Sequence, residues 1–462
     1  MPCAGRAKGT AGASVLGVLY HALRALRENM RVLLSTIGTA GDVHPFIAVG
    51  LALKSRGHEV VVLANPHFAG RINGAGLGFW PLGMEAEYLR FVKHADLVSG
   101  AGSPMYVLHN LVLPAMAPTM EAIGNIRVAF RPDVVMAHHI SLGAGAACER
   151  LQIPLALAVL APLFWLSREE HVVMPTLPMY NPPRWLDRIA RRAMRPLGRW
   201  SVDRPINRAR RAAGLSPVCD AAITVARGGD GLLERERIGR ERATAVLGLW
   251  SEHFRAVMKD DPTGGEICGF AVWDRPAQTA EGAAAERETI GWMEQGDPPA
   301  VVTLGSSVSH HGSAVYEMAS AACARLGRRA LLLTGASGAT AERTGARAVE
   351  YAPYSRVMPR GCVTVHHGGI GTTAAAMRSG RPQVIIPFAN DEFDNAARAE
   401  RLGAAVRLSR RRLSIERLCG AIGEAATDAR MIGAAASLGD RLRGEDGAAR
   451  AAEALERVAR SR

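Results

Sequence analysis

From Met30 onward, short and almost wholly apolar runs alternate with longer segments in which apolar residues recur every three or four positions. A first series of runs is RVLLST (31–36), EVVVLA (59–64), DVVMA (133–137), LALAVL (155–160) and TAVLGL (244–249). A second is AVVTLG (300–305), ALLLT (330–334), AVEYA (348–352), CVTVH (362–366) and QVIIP (383–387). Runs without polar alternation mark strands buried on both faces, and their alternation with helical segments predicts parallel βαβ units. The pattern therefore predicts an α/β protein with two doubly wound, Rossmann-like parallel-sheet domains. Residues 261–290 are rich in Pro, Gly, Ala and charge, which predicts a linker there. The first domain is then expected over 30–260 and the second over 291–425, followed by arginine- and alanine-rich helices over 426–462. Ligands of open parallel sheets bind at the carboxyl ends of the strands, so two such edges facing each other would frame a cleft.

Composition narrows the picture. A chain of 462 residues with 48% apolar content can fill two cores. The net charge of +13 points to an anionic partner: a sugar nucleotide, an acidic membrane surface or a nucleic acid. No nucleic-acid-binding module stands in the sequence, so no nucleic acid partner is expected. Seven scattered cysteines without a CxxC pair argue against a disulfide frame or a zinc site and fit a reducing cytoplasm. No apolar run reaches the ~20 residues a membrane-spanning helix needs. Residues 1–29 read as an extension ahead of a second methionine, Met30, and a chain beginning at Met30 is expected to fold and act normally.

Two stretches carry the candidate chemistry. The first, VHHGGIGTTAAAMRSGRP (365–382), passes from a strand through a glycine turn into a helix. Gly368, Gly369 and Gly371 carry no Cβ, so main-chain N–H groups can approach a ligand closely. Thr372 and Thr373 fall in the first helical turn, where free amides and the positive end of the helix dipole draw anions. That suits phosphate, although the loop is neither a Walker A loop nor a dinucleotide fingerprint. An ordinary glycine-rich turn is the plainer alternative. The second stretch, IGTAGDVHPFIAVGLALKSRGHEV (37–60), sets Asp42 in the turn between a strand and a helix that ends at Arg56-Gly57. A carboxylate at the mouth of a dry cleft can take a proton from an incoming hydroxyl, and one in that turn can equally cap the helix.

GTAGDVHPFIAVGLALKSRGHEV, together with YAPYSRVMPRGCVTVHHGGIGTTAAAMRSGRPQVIIPFANDEFDNAARAERLGA (351–404), resembles the bacterial branch of the GT-B nucleotide-sugar glycosyltransferases. That branch includes sterol glucosyltransferases, rhamnolipid rhamnosyltransferases and macrolide or glycopeptide antibiotic glycosyltransferases. The resemblance implies two facing Rossmann-like domains and an inverting, metal-independent transfer with no cofactor, the NDP-sugar (UDP or dTDP) being a co-substrate. It gives Asp42 the role of general base. His367 would contact the donor diphosphate, with Gly368, Gly369, Gly371, Thr372 and Thr373 cradling it and Ser306 and Ser307 adding contacts. Tyr351 stands where plant relatives stack a tryptophan on the nucleobase. PFANDEFDN (387–395) resembles the sugar-reading PxxxDQxxN, so Asp391 and Glu392 would meet the donor sugar, with glutamate in the usual glutamine's place. Ala375 replaces a polar residue that often contacts ribose. His138 stands where plant relatives carry an aspartate that orients a catalytic histidine. Glu392 and Glu400 also fall at the E-x7-E interval of retaining GT-B enzymes, although the surrounding text is that of the inverting family.

Acceptor pockets in this family come from loops of the first domain, here 84–116 and 162–182. Both are rich in Met, Leu, Trp, Phe and Tyr, which predicts a hydrophobic, hydroxyl-bearing acceptor such as a lipid, sterol or polyketide. His138, His139 and Trp165 are the expected lining residues. In the segment 182–215, Trp185, Ile189, Ala193, Leu197 and Trp200 recur at near-helical spacing among arginines. That amphipathic pattern suits either peripheral docking on anionic lipid or packing on its own domain. Two other readings remain open from sequence: a non-catalytic sugar-nucleotide-binding partner subunit and a sugar-nucleotide epimerase of the same fold.

Overall fold

The structure, a computed structural model, describes residues 29–165, 167, 169–173, 203–217, 243–262, 264–277, 279–335 and 345–461, with isolated positions between 183 and 200. The amino-terminal extension and half of the amphipathic segment 182–215, Ala193 and Leu197 included, lie outside the described residues.

The amino-terminal lobe is built on seven parallel strands: β1 (Arg31–Ser35), β2 (Glu59–Ala64), β3 (Gly78–Pro81), β4 (Val134–His138), β5 (Leu155–Val159), β6 (Ala243–Gly248) and β7 (Gly265–Ile267). They lie in the order β3-β2-β1-β4-β5-β6-β7. β1, β4 and β5 supply Val32, Leu33, Leu34, Val134, Val135 and Ala156, all fully buried because helices cover both faces of the sheet. The helices that matter for the site are α1 (Ala40–Ser55), α2 (Leu113–Ala129) and α3 (Leu142–Leu151). α1 follows β1 directly and buries Phe46, Ile47, Val49 and Leu53 completely.

The second lobe repeats the plan with β8 (Ala300–Thr303), β9 (Ala330–Leu333), β10 (Ala346–Val349), β11 (Val363–His366), β12 (Gln383–Ile385) and β13 (Ala405–Arg407). Their order is β10-β9-β8-β11-β12-β13, all parallel. This is the α/β, doubly wound pair of sheets that the alternating runs predict. The helices are α4 (Ala280–Glu294), α5 (Ser313–Arg325), α6 (Ile370–Ser379), α7 (Glu392–Arg401), α8 (Ile415–Thr427), α9 (Ala429–Arg443) and α10 (Gly447–Arg460). The stretch 261–290 expected to link the lobes contains β7 and much of α4, which narrows the connection itself to the residues between Ile267 and Ala280.

α10 does not stay with the second lobe. Ala451, Ala452, Leu455 and Val458 enter the same core as Val32, Leu34, Phe46 and Ile47 of the first. Glu456 fastens it, accepting from Arg56 Nε at 2.6 Å and Arg56 Nη2 at 3.1 Å and lying 2.9 Å from His58 Nε2. Among the described residues no helix is long and apolar enough to cross a membrane.

Candidate active site

The first wall of the cleft is the start of α1. Gly38 turns the chain after β1 at φ +122°, and a Cβ there would sit 2.2 Å from Asp42 Oδ2, so only glycine leaves room for the carboxylate. Thr39 caps the helix, and Asp42 Oδ2 accepts from Thr39 N at 2.6 Å and Thr39 Oγ1 at 3.2 Å. Asp42 is therefore the helix cap that its sequence allows. One oxygen closes the capping box, and the other, Oδ1, lies 3.9 Å from His138 Nε2 at the end of β4. The opposite ring nitrogen of His138 donates to the Ile37 carbonyl at 3.3 Å. A carbonyl can only accept, so Nδ1 holds the proton and Nε2 turns a lone pair toward Asp42.

Burial sets the charges of this pair. It pushes the Asp42 carboxyl up to about 6, against the pull of the Thr39 hydrogen bonds, and lowers His138 to about 4. The Asp42 side chain keeps 28% of its surface open, so the full rise belongs to a cleft from which water has been displaced. A neutral imidazole beside a carboxylate of raised basicity is an arrangement that can receive a proton.

The second wall comes from the loops after β8, β11 and β12. His367 is 4% exposed, with Gly305 and Gly369 packed against its ring: a Cβ on either would meet the imidazole at 2.5 Å and 2.3 Å. Burial, with His366 adjoining, lowers His367 to about 3, and its Nδ1 has no partner among the described residues. His367 therefore meets a ligand as a neutral N–H donor, not as a cation. His366, uncommitted in the sequence, shapes the loop: its Nδ1 accepts from Gly368 N at 3.1 Å while Nε2 pairs with Gln383 Oε1 at 2.9 Å. Thr373 turns its hydroxyl back onto the Gly369 carbonyl at 3.0 Å, and Thr372 is buried beside the Tyr354 hydroxyl. The two threonines thus brace the turn, and the donors left to an anion are the amides at the start of α6 and the His367 ring. Ser306 is exposed on the short helix Gly305–Val308, which packs with α6 against α1. The Ser307 side chain lies outside the described residues.

The PFANDEFDN segment separates its two acids. Glu392 is 5% exposed and its Oε2 accepts from Phe388 N at 2.6 Å and Ala389 N at 2.9 Å. It closes its own loop beside Gly368, and burial lifts it to about 8. The expectation of a carboxylate free to read the donor sugar meets one whose Oε2 already holds the Phe388 and Ala389 amides, four and three residues before it. Asp391 Oδ2 accepts from Asn395 Nδ2 at 2.7 Å. The same Asn395 amide donates to the Gly368 carbonyl at 2.9 Å and so locks α7 to the loop after β11. Burial raises Asp391 to about 6, with the charges of Asp42 and Asp394 adding to the rise. Glu400 lies about two turns further along α7 and pairs with Arg407 at the surface, so the E-x7-E acids do not converge.

Tyr351 is half-buried, donates its hydroxyl to the Arg275 carbonyl at 3.1 Å, and carries the Arg275 guanidinium 4.2 Å over its ring. Trp165 is 2% exposed and packs edge-on against Trp250 at 4.9 Å. It is a core residue, which corrects its expected place in the acceptor pocket: an apolar loop reads alike whether it fills a core or lines a cavity. His139 is buried against Phe164 at 4.4 Å.

Both acceptor loops reach across to the second lobe. Arg410 donates to the Val98 carbonyl at 2.9 Å while stacking 4.5 Å over Phe388. On the other side, Glu170 sits between Arg398 of α7 and Arg255 of the first lobe, and Asp394 accepts from Val173 N at 3.1 Å. Arg255, Asp394 and Arg398 are almost wholly buried. Near the start of α1, Arg71 and Trp273 pack against His44, and Arg275 lies over Tyr351.

Two Rossmann-like lobes, with an acid at the strand ends of one and a glycine loop at those of the other, have the architecture of the GT-B glycosyltransferases. Residues 32–158 match the glycosyltransferase family 28 N-terminal domain, and residues 337–456 match the erythromycin biosynthesis protein CIII-like C-terminal domain. The chain is 30% identical over 457 residues to O-mycaminosyltylonolide 6-deoxyallosyltransferase of Streptomyces fradiae, covering 94% of this chain and 98% of the relative. It is 25% identical over 386 residues to a sterol 3-beta-glucosyltransferase of Arabidopsis thaliana, covering 79% of this chain and 55% of that one. Among solved structures, glycosyltransferase VinC in complex with dTDP superposes with a TM-score of 0.62 at 18% identity, covering 93% of this chain and 100% of that chain. The protein belongs to this family of GT-B glycosyltransferases, whose relatives include antibiotic and sterol transferases.

Proposed function

We propose that the protein transfers a hexose or deoxyhexose from a UDP- or dTDP-sugar to a hydroxyl of a hydrophobic acceptor, with inversion at the anomeric carbon and without a metal or other cofactor. The observation that carries this reading is the placement of Asp42 at the carboxyl end of β1: one oxygen caps α1 and the other is left free, 3.9 Å from the lone pair of His138. The acceptor hydroxyl gives its proton to Asp42 Oδ1 as its oxygen bonds the anomeric carbon. The bond from that carbon to the diphosphate breaks on the opposite face, and both electrons leave with the phosphate oxygen. Developing negative charge falls on the amides at the start of α6 and the neutral His367 ring, donors already fixed before the reaction begins. Protonated Asp42 faces the lone pair of His138 Nε2 and gives its proton to water when the products leave. Asp391 is the acid positioned to accept hydrogen bonds from sugar hydroxyls.

Support for the donor comes from the dTDP bound by VinC, and support for the acceptor from the macrolide and sterol transferases among the relatives. The test is the anomeric configuration of a purified product made from an α-linked dTDP- or UDP-sugar, read by the proton coupling at the anomeric carbon. A β-linked product is expected, in reactions that proceed unchanged with EDTA. Retained configuration would overturn direct displacement.

A further inference from the structure

Two arginines in the cleft have no part in the reaction as proposed. Arg71 lies on the short helix Ala69–Gly74 after β2, and Arg275 in the connection between the lobes. Arg71 Nη1 is 3.5 Å from His44 Nε2, two residues beyond Asp42 on α1, and Trp273 meets His44 edge-on at 4.9 Å. Arg275 lies flat over Tyr351 at 4.2 Å. Among the described residues neither guanidinium has a carboxylate within ion-pair distance; their contacts are an imidazole and the rings of Phe68 and Tyr351. Other enclosed arginines of the chain are paired: Arg210 with Glu149, Arg255 with Asp261, Arg398 with Asp394.

Like charges crowd here without relief. Arg275 depresses Arg71, and together they add to the burial that lowers His44 to about 3. An arginine keeps its proton at working pH, so an anion entering the cleft would meet two half-buried cations without acid partners. The groups around the pair are those of a nucleotide site: an aromatic ring at Tyr351, the anion loop after β11 on the far wall, and Asp42 beyond His44.

We propose that Arg71 and Arg275 form the amino-lobe and linker half of the donor site, closing on the diphosphate of a nucleoside diphosphate sugar whose far side rests on the amides after His366. This rests on the donor reading given above. Binding moves Arg275 from the face of Tyr351 to the phosphates, which frees that face for the base. The donor's charge thereby ties one lobe to the other.

The full chain and its Arg71→Gln, Arg275→Gln and double variants are titrated with dTDP, UDP, thymidine and uridine by calorimetry. Each single change is expected to weaken diphosphate binding about 10- to 100-fold and to leave nucleoside binding within about threefold. Arg71→Lys and Arg275→Lys should recover part of the loss. Unfolding temperatures without ligand report on folding, and Arg71→Met and Arg275→Met, which keep the buried stems, replace any glutamine variant that melts early. Diphosphate affinity within about threefold of wild type in the double variant overturns the pair's role, as does an equal loss for nucleosides and diphosphates. A wild-type protein that binds neither diphosphate overturns the donor reading itself.

Discussion

The two walls of the cleft are held in opposite ways. On the carboxyl-terminal side nearly every polar side chain is engaged before a ligand arrives: His366 with Gly368, Asn395 with Gly368 and Asp391, Thr373 with Gly369, Glu392 with Phe388 and Ala389. What that wall offers is main-chain amide and one neutral ring, fixed in place. The amino-terminal wall keeps capacity in reserve, with a free oxygen on Asp42, a lone pair on His138 and two arginines without acids. The difference suits the task proposed for each side. Stabilising a leaving group calls for donors that need not reorganise, whereas moving a proton calls for groups that change charge.

The largest expected effect comes from removing that reserve. Asp42→Asn should lower kcat about 1000-fold, because an amide cannot take the acceptor's proton, while calorimetry finds the affinity for dTDP or UDP unchanged. Turnover near the wild-type rate would move the base elsewhere. On the fixed wall, Gly369→Ala places a Cβ 2.3 Å from His367 Nε2 and must displace the ring. The expected result is a rise in the donor KM of about 10- to 100-fold, measured at saturating acceptor.

pH sharpens the contrast. Asp42 acts only when deprotonated, so kcat/KM should fall with unit slope below about pH 6 and level off above it, the folded value of Asp42 having been raised to about 6 by burial. His138→Gln turns an amide N–H toward Asp42 where the imidazole could only accept. It stabilises the carboxylate, so the acid limb should move about one unit lower and kcat fall about tenfold. A limb that stays in place would reduce His138 to packing.

The smallest effect is expected where the amino-terminal lobe borrows α10. Arg56 and His58 hold the Glu456 carboxyl down to about 2. A depressed carboxyl contributes stability above its unfolded value and loses it as pH falls toward the folded one, here from about 4.5 to about 2. Arg56 is more than a third exposed, so Glu456→Ala should cost only about 1 kcal/mol in thermal or urea unfolding at neutral pH, and less near pH 3.

The sheets and the two loops at their edges were legible because each announces itself locally: strands buried on both faces are apolar throughout, and a glycine turn followed by threonines reads as a helix start. β3, β7 and β13 were not, being edge strands of three or four residues such as GFWP and GEI. The engagement of Glu392 was hidden for a related reason. Its motif fixes what stands at the position, while the backbone of PFAN decides which way the carboxylate turns. Arg71 in AGRING and Arg275 in WDRP carry no local signal at all. They meet only because β2 lies beside β1 and the interlobe connection passes Tyr351, a coincidence of topology that no window of sequence contains.

The return of α10 has a mechanical consequence. The chain leaves the first lobe near Gly269 and comes back to it at Gly447, and a Cβ on Gly447 would lie 2.3 Å from the Gly269 carbonyl oxygen. Outgoing and incoming strands therefore cross the gap side by side, in contact. Two abutting tethers act as the spine of a book: they leave the covers free to swing apart for substrates while resisting a twist of one against the other, and a side chain at either glycine would wedge the binding.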